Sequence, residues 1–322
     1  MKKVIFLTIF ILVVSLNFIF GQGSTYCGPY TVAAPVVLVG IKNQTIKGLK
    51  ITNPSGHCIS LTNCSNITIQ NCKLGPSKKE GVYIYNCTNI TVNNCSMSNI
   101  ETGVYAAKST GIKVTNNDVL NVQGPFPKGQ MVQFDKISDG GNRINYNVCE
   151  NLTGQSTPED VISLYMSNGT ETDPIQIIGN WIRGGGPSTS GGGIMTGDNG
   201  GSYVLVQNNI LVNPGQYGIA ISSGNHISIK NNKVYSAKLV FTNVGLYAYN
   251  QYPSDCSSDT IMNNTLNFTH KGGTLNNTWT NGSCGDVFGW KTNYYDPRLN
   301  SSILPVKLIG RCQNDSIRGT KP

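Results

Sequence analysis

Charge is what this chain has least of. Asp, Glu, Lys and Arg together supply 12% of its 322 residues, and histidine occurs only three times. Disordered chains show the reverse balance, with many charges and few β-branched residues, so a folded domain is expected. No GxSxG, HExxH, P-loop or dinucleotide fingerprint is present. His57, His226 and His270 have no metal-ligand spacing and are expected in surface or turn roles. No Lys/Arg block is interleaved with aromatics, so nucleic acid is not an expected partner. After Phe20 nothing approaches the ~20 consecutive apolar residues of a membrane span.

At the start stands "MKKVIFLTIFILVVSLNFIFGQGS": two lysines, an apolar run from Val4 to Phe20, then small residues. This reads as a secretory signal peptide over residues 1–23, making the protein secreted; a membrane association is expected only if the segment stays uncleaved. Ten cysteines fit an oxidising compartment. Sequons such as Asn66-Ile67-Thr68 and Asn281-Gly282-Ser283 suit an N-glycosylated surface. The net charge of +8 would favour an acidic polymer.

What the chain has in plenty is repetition. One phrase recurs nine times: a β-branched residue, any residue, Asn (or Gly or Tyr), a fourth residue that is usually Asn or Cys, any residue, an apolar one. Copies begin at Ile46, Ile69, Val92, Val114, Ile144, Ile177, Val206, Ile229 and Ile261, spaced 22 to 33 residues apart. A period near 23 with short alternating strands and Gly/Asn turns predicts the coils of a parallel β-helix, since propeller blades need about 40 residues or more. The expectation is an all-β, single-stranded right-handed parallel β-helix of about nine coils over residues 24–269, with an irregular capping region over 270–322. No coil can bury its apolar face alone; stacking at about 4.8 Å supplies the core. Ile69, Val92 and Val114 should form one inward column and Val82, Val104 and Val132 another. Asn71, Asn94 and Asn116, then Asn208, Asn231 and Asn263, should stack as an amide column. Cys64 with Cys87, and Cys72 with Cys95, fall on adjacent coils as disulfides or as buried thiols, both open. Cys149 should be a core thiol, and Cys256, Cys284 and Cys312 should staple the cap.

Three consecutive coils are enlarged at one point of the repeat: Asn121–Gln130, Glu150–Asp160 and Arg183–Gly193. Stacked insertions of this kind wall a groove. Along its floor, period-two alternation points Tyr105, Gln133, Asp135, Ser163, Tyr165, Met195 and Asp198 outward beside Lys108, with Tyr83, Tyr85, Tyr247 and Tyr249 extending the columns. Aromatic faces there would suit sugar rings. A glycosidase needs one carboxylic acid and a second carboxylate; Asp135, Glu159, Asp160 and Asp198 lie on successive coils and are the candidates. Such chemistry requires no cofactor. A lyase would instead use Lys136, Lys128 or Arg183 as base, and Ca²⁺ held by carboxylates is the one cofactor it could add.

With these residues in view, the chain resembles the secreted right-handed parallel β-helix repeat proteins, the pectate lyase and polygalacturonase-like superfamily. "PEDVISLY" is similar to the Asp-Asp strand of polygalacturonase-type hydrolases, with Glu159 and Asp160 in that place. The Asn-Thr-Asp, Gly-His-Gly and Arg-x-Lys motifs of that family are missing, as is the Asp-Pro-His of alginate epimerases. The resemblance implies the fold and a polysaccharide partner. The expected protein is a monomeric polysaccharide-active enzyme, with a non-catalytic glycan-binding or cell-surface glycoprotein as the alternative.

Overall fold

The computed structural model describes residues 23–309 and is a right-handed parallel β-helix with almost no helix. Three stacked faces, called sheets below, run its length, the first two continuous through the strand Ile194–Gln207 as one nineteen-stranded sheet. The first extends from Val36–Val39 to Thr278–Thr280, the second from Lys42–Lys47 to Thr260–Met262, and the third, eleven-stranded, from Thr31–Ala33 to Tyr294–Tyr295. All named strand pairs are parallel and nearly all are in register, so one residue of each coil lies over its equivalent on the next. Pairing continues through residues 278–295, so the sheets run on into the C-terminal region expected to be irregular. No helix among the described residues is long and apolar enough to cross a membrane. The expected signal peptide, up to residue 22, and Cys312 lie outside the described residues.

The repeated phrase turns the corner from the second sheet to the third. Its third residue holds φ between 55° and 66° in all nine copies, from Gly48 to Asn263. That left-handed conformation is tolerated by Gly and Asn and costs other residues about 1–2 kcal/mol, which explains the choice of residue there; Tyr146 is the exception. The core is filled by inward columns, including Ile69, Val92 and Val114, all essentially inaccessible.

The buried amide ladder lies one residue beyond the expected column. Asn117, Asn147, Asn180, Asn209, Asn232, Asn264 and Asn293 pass a side-chain bond from each Nδ2 to the next Oδ1 at 2.8–3.1 Å. Each Oδ1 also accepts the backbone N–H one coil back. The earlier column does bond between Asn94 and Asn71, at 2.7 Å, but on the partly exposed rim. Cys72 and Cys95 take the two places before Asn117, where sulfur substitutes for the amide oxygen: the Cys72 N–H points at Cys95 Sγ, 3.4 Å away. Cys64, Cys87 and Ser109 form the corresponding series at the first corner. All four cysteines are buried free thiols, as is Cys149. Cys256 and Cys284 form a disulfide near the C-terminal end.

The third sheet does not face solvent bare. Leu304 and Leu308 cover its outward residues Val148 and Val212, with Trp181 and Ile210 packed alongside. At the other end of the chain Ser24 and Thr25 lie on Asp118 and Asn94.

Candidate functional site

The three enlarged corners join the third sheet to the first and rise along the leading edge of the first sheet. Outward residues of that sheet stack as Tyr83, Tyr105, Gln133, Ser163, Met195, Ala220 and Tyr247, and, nearer the trailing edge, as Tyr85, Ala107, Asp135, Tyr165 and Asp198. Asp135 and Asp198 thus share a column with Tyr165 between them. Asp160 is at the opposite, leading edge.

Following the backbone hydrogen bonds, the leading-edge column reads His57, Glu80, Thr102, Gln130, Asp160, Gly192 and Tyr217. Gly192 decides the geometry around Asp160. A Cβ there would meet the Tyr217 ring at 2.6 Å; with only hydrogen, the ring lies over the glycine and its hydroxyl reaches Asp160 Oδ1. The Gly192 N–H donates to the same oxygen at 3.0 Å. Both bonds go to Oδ1, which leaves Oδ2 to carry a proton. Burial pushes the Asp160 carboxyl up to about 7, with Glu159 and Asp198 adding to the rise and Tyr217 and Gly192 opposing it. Burial also raises Asp198, against the Tyr252 hydroxyl that donates to its Oδ1 at 2.5 Å. Asn199 donates to the Tyr165 hydroxyl beside it, at 2.9 Å.

Beside these two carboxyls lies an apolar floor outside the main core. Met195, Ala220, Tyr217, Val244 and Tyr247 form it, with the Tyr217 and Tyr247 rings edge to face at 5.2 Å. Asp160 and Asp198 both raise the Tyr247 hydroxyl's pKa, after burial. The site is therefore two acids that both act on the Tyr247 hydroxyl, each tied to a tyrosine from a later coil. Gly192→Ala tests this geometry directly, because Gly192 does not need a left-handed backbone. Displacing Tyr217 should destabilise the fold by about 1–3 kcal/mol in urea unfolding; an unchanged midpoint would show that the ring does not depend on the glycine.

The other expected residues are dispersed. Glu159 accepts from Ser190 Oγ at 2.5 Å, within the loop wall. Asp135 Oδ2 accepts from the Tyr105 hydroxyl at 2.7 Å. Gln133, Ser163 and Met195 point outward as alternation requires, yet they are buried, so they line the floor's interior and present little surface to a ligand. Lys108 and Lys136 occupy left-handed corner positions and are exposed at the trailing rim, with Lys108 Nζ 5.5 Å from the Tyr85 ring centre and Lys136 Nζ 5.6 Å from that of Tyr165.

The tyrosine columns differ from an open platform. His57 stacks on Tyr83 at 4.8 Å, Tyr83 on Tyr105 at 5.9 Å, and Lys128 Nζ lies 3.6 Å from the Tyr105 ring centre. In-register stacking turns ring faces toward one another along the axis, so the tyrosines offer hydroxyl edges outward. The sequence reading missed Tyr217, Tyr252, His57 and Glu80. Tyr217 and Tyr252 come from coils after the acids they touch. Glu80 joins His57 at 2.7 Å and Lys128 at 3.2 Å; burial alone would raise its carboxyl, but His57, its own backbone amide and Lys128 hold it at about 2.

Among the described residues, the group of three His, Cys, Asp or Glu donors close enough to share an ion is Cys256, Asp259 and Cys284, whose two sulfurs form the disulfide. None of the acids of the first sheet belongs to it. A hollow of about 590 Å³ in the loop wall, bounded by Gln155, Arg183, Pro187 and Phe241, also contains none of them.

Residues 36–182 match the family model described as right handed beta helix region. Among solved structures, the catalytic domain of a GH87 alpha-1,3-glucanase variant in complex with tetrasaccharides is similar at 14% identity and TM-score 0.53, over 85% of this chain and 62% of that one. The same catalytic domain in complex with nigerose gives 13% identity and TM-score 0.48, again over 85% of this chain and 62% of that one. The chain thus spans less than two thirds of the length of these structures, and the likeness is one of fold. No curated protein sequence matches.

Proposed function

We propose that this right-handed parallel β-helix is a secreted, monomeric glycoside hydrolase acting on a polysaccharide, with Asp160 as the acid that protonates the leaving oxygen and Asp198 as the second carboxylate. The observation that carries this reading is the pair itself. Two carboxyls bear on one another and on the same Tyr247 hydroxyl beside an apolar floor, and burial raises both, Asp160 to about 7. A carboxylic acid at the leaving oxygen and a carboxylate opposite are what glycosidic cleavage uses. Solved structures of similar fold include an alpha-1,3-glucanase, which makes alpha-1,3-glucan the first substrate to try. Asp135, the other candidate on a neighbouring coil, is the weaker partner because Asp198 and Glu159, not Asp135, are the carboxylates that bear on Asp160.

One feature favours the non-catalytic alternative: Tyr217 and Tyr252 already occupy Oδ1 of both acids. A panel of alpha-1,3-glucan and pectic polysaccharides, assayed for new reducing ends, separates the two readings. Cleavage that Asp198→Asn lowers by about 100-fold or more is the expected result. Binding without cleavage across the panel would instead make the protein a glycan-binding one. Products absorbing as unsaturated uronates would replace hydrolysis by elimination and bring back Lys136.

A further inference from the structure

We propose that Tyr252 is a positioning residue of the same site, holding Asp198 as a carboxylate with Oδ2 left for the substrate; the proposal rests on the reading of Asp160 and Asp198 as the catalytic pair. Two of the four candidate acids have no oxygen to offer. Tyr105 takes Asp135 Oδ2 and Ser190 takes Glu159 Oε1, while Asp135 Oδ1 and Glu159 Oε2 are buried without a partner. Asp198 differs. It is partly exposed, the Tyr252 hydroxyl donates to its Oδ1 at 2.5 Å, and its Oδ2 bonds no described residue and is not sealed from solvent.

The second carboxylate of a glycosidase must be charged to activate water or to attack. Burial works against that charge, and no lysine, arginine or histidine offsets it; the Tyr252 hydroxyl does. Its other titratable neighbours, Tyr165 in the same column, Tyr247 and Asp160, bring no positive charge, and Lys136 stops at the Tyr165 ring, 5.6 Å from its centre. Burial and Asp198 both raise the Tyr252 hydroxyl, so it stays a donor. Tyr252 reaches Asp198 from two coils on. The coil between presents Ser222 and Ser223, buried with their hydroxyls turned onto Gly197 O, so no large side chain intervenes. Asn250 shapes the loop that carries the tyrosine: its Oδ1 accepts the Tyr252 N–H at 3.3 Å and its Nδ2 donates to Ser254 O at 2.9 Å. Both ends of that loop are tied to one dipeptide. The Asn250 N–H donates to Ser283 Oγ at 2.8 Å, and Cys284 is disulfide-bonded to Cys256. A donor held this firmly fixes the direction of the carboxylate it meets.

Tyr252→Phe is the test, because it keeps the ring and removes the donor. Two readouts are followed: NMR titration of isotope-labelled aspartate carboxyls, with Asp198 assigned from Asp198→Asn, and the pH profile of kcat/KM on the cleaved polysaccharide. The Asp198 carboxyl should titrate about one pH unit higher in the variant. The acid limb of the profile should rise by the same amount, since the carboxylate then forms only at higher pH. The alkaline limb, set by Asp160, should stay near pH 7, so the bell narrows from its acid side. A purely structural role would lower the rate across the profile and move neither limb. Should the Phe variant not fold, Asn250→Ala, which removes the bonds that shape the loop, should shift the titration in the same direction. An Asp198 titration left in place by whichever variant folds would overturn the proposal, whatever the activity. A titration that shifts in a protein cleaving none of the panel would instead overturn the catalytic reading of the pair, and the positioning role would fall with it.

Discussion

Asp160→Asn should lower kcat by about 10²–10⁴-fold and, at pH 8, leave the protein more stable than the parent. The two effects have one cause. Asn can still accept the Gly192 N–H and the Tyr217 hydroxyl at Oδ1, so the local geometry persists, but no proton can be delivered. In the parent, the folded carboxyl titrates at about 7, against about 3.9 in an unfolded chain. The folded state therefore holds a proton that the unfolded state has released, and stability falls as pH rises through that window. The contribution is complete below about pH 4 and gone above about pH 7. Asn removes this slope; Asp259, also raised to about 7 by burial, keeps a similar slope in both proteins. Thermal unfolding from pH 4 to 8 and initial rates on the cleaved polysaccharide check both halves. A variant that keeps more than a tenth of the activity ends the assignment of Asp160 as the acid.

The second large effect concerns one dipeptide. Asn231 and Asn232 are neighbours with different tasks, and their alanine variants should differ severalfold in cost. Asn231 is exposed and supplies the left-handed corner, at φ 58°. Replacing it should cost about 1–2 kcal/mol, the strain of a Cβ in that conformation. Asn232 is inaccessible and accepts two bonds at Oδ1, from the Asn209 N–H and Nδ2, both at 2.9 Å. Its own Nδ2 donates to Val206 O at 3.1 Å and Asn264 Oδ1 at 2.9 Å. Asn232→Ala strands several buried polar groups at about 1–3 kcal/mol each, so a total near 4 kcal/mol is expected by urea unfolding. Equal costs at the two positions would mean that the ladder adds nothing beyond the turn.

How far the sequence foretold this molecule depends on whether the signal was periodic. Coils, inward columns and the three enlarged corners all repeat along the chain, and repetition is visible without coordinates. Even so, the doubled Asn hid which of the two carried the buried ladder, because side-chain direction at a tight corner follows from φ. Cysteine spacing left disulfide and thiol readings level; the structure has thiols that accept N–H groups as the neighbouring amides do. At the site, alternation gave the outward direction of Gln133, Ser163 and Met195, but burial there comes from side chains and loops of other coils. Tyr217 reaches Asp160 only because Gly192 lies between them, a relation across 57 residues that no local motif announces. His57 and Glu80 were hidden for the same reason.

The in-register stacking has one further consequence. Because each coil touches chiefly its neighbours, duplication or excision of a plain repeat between Glu80 and Asp160 would slide the parts of the solenoid on either side apart or together by one rung. The solenoid would then act as a molecular ruler, graduated in steps of about 4.8 Å, whose reach could be reset by copying a stretch of gene without redesigning either end.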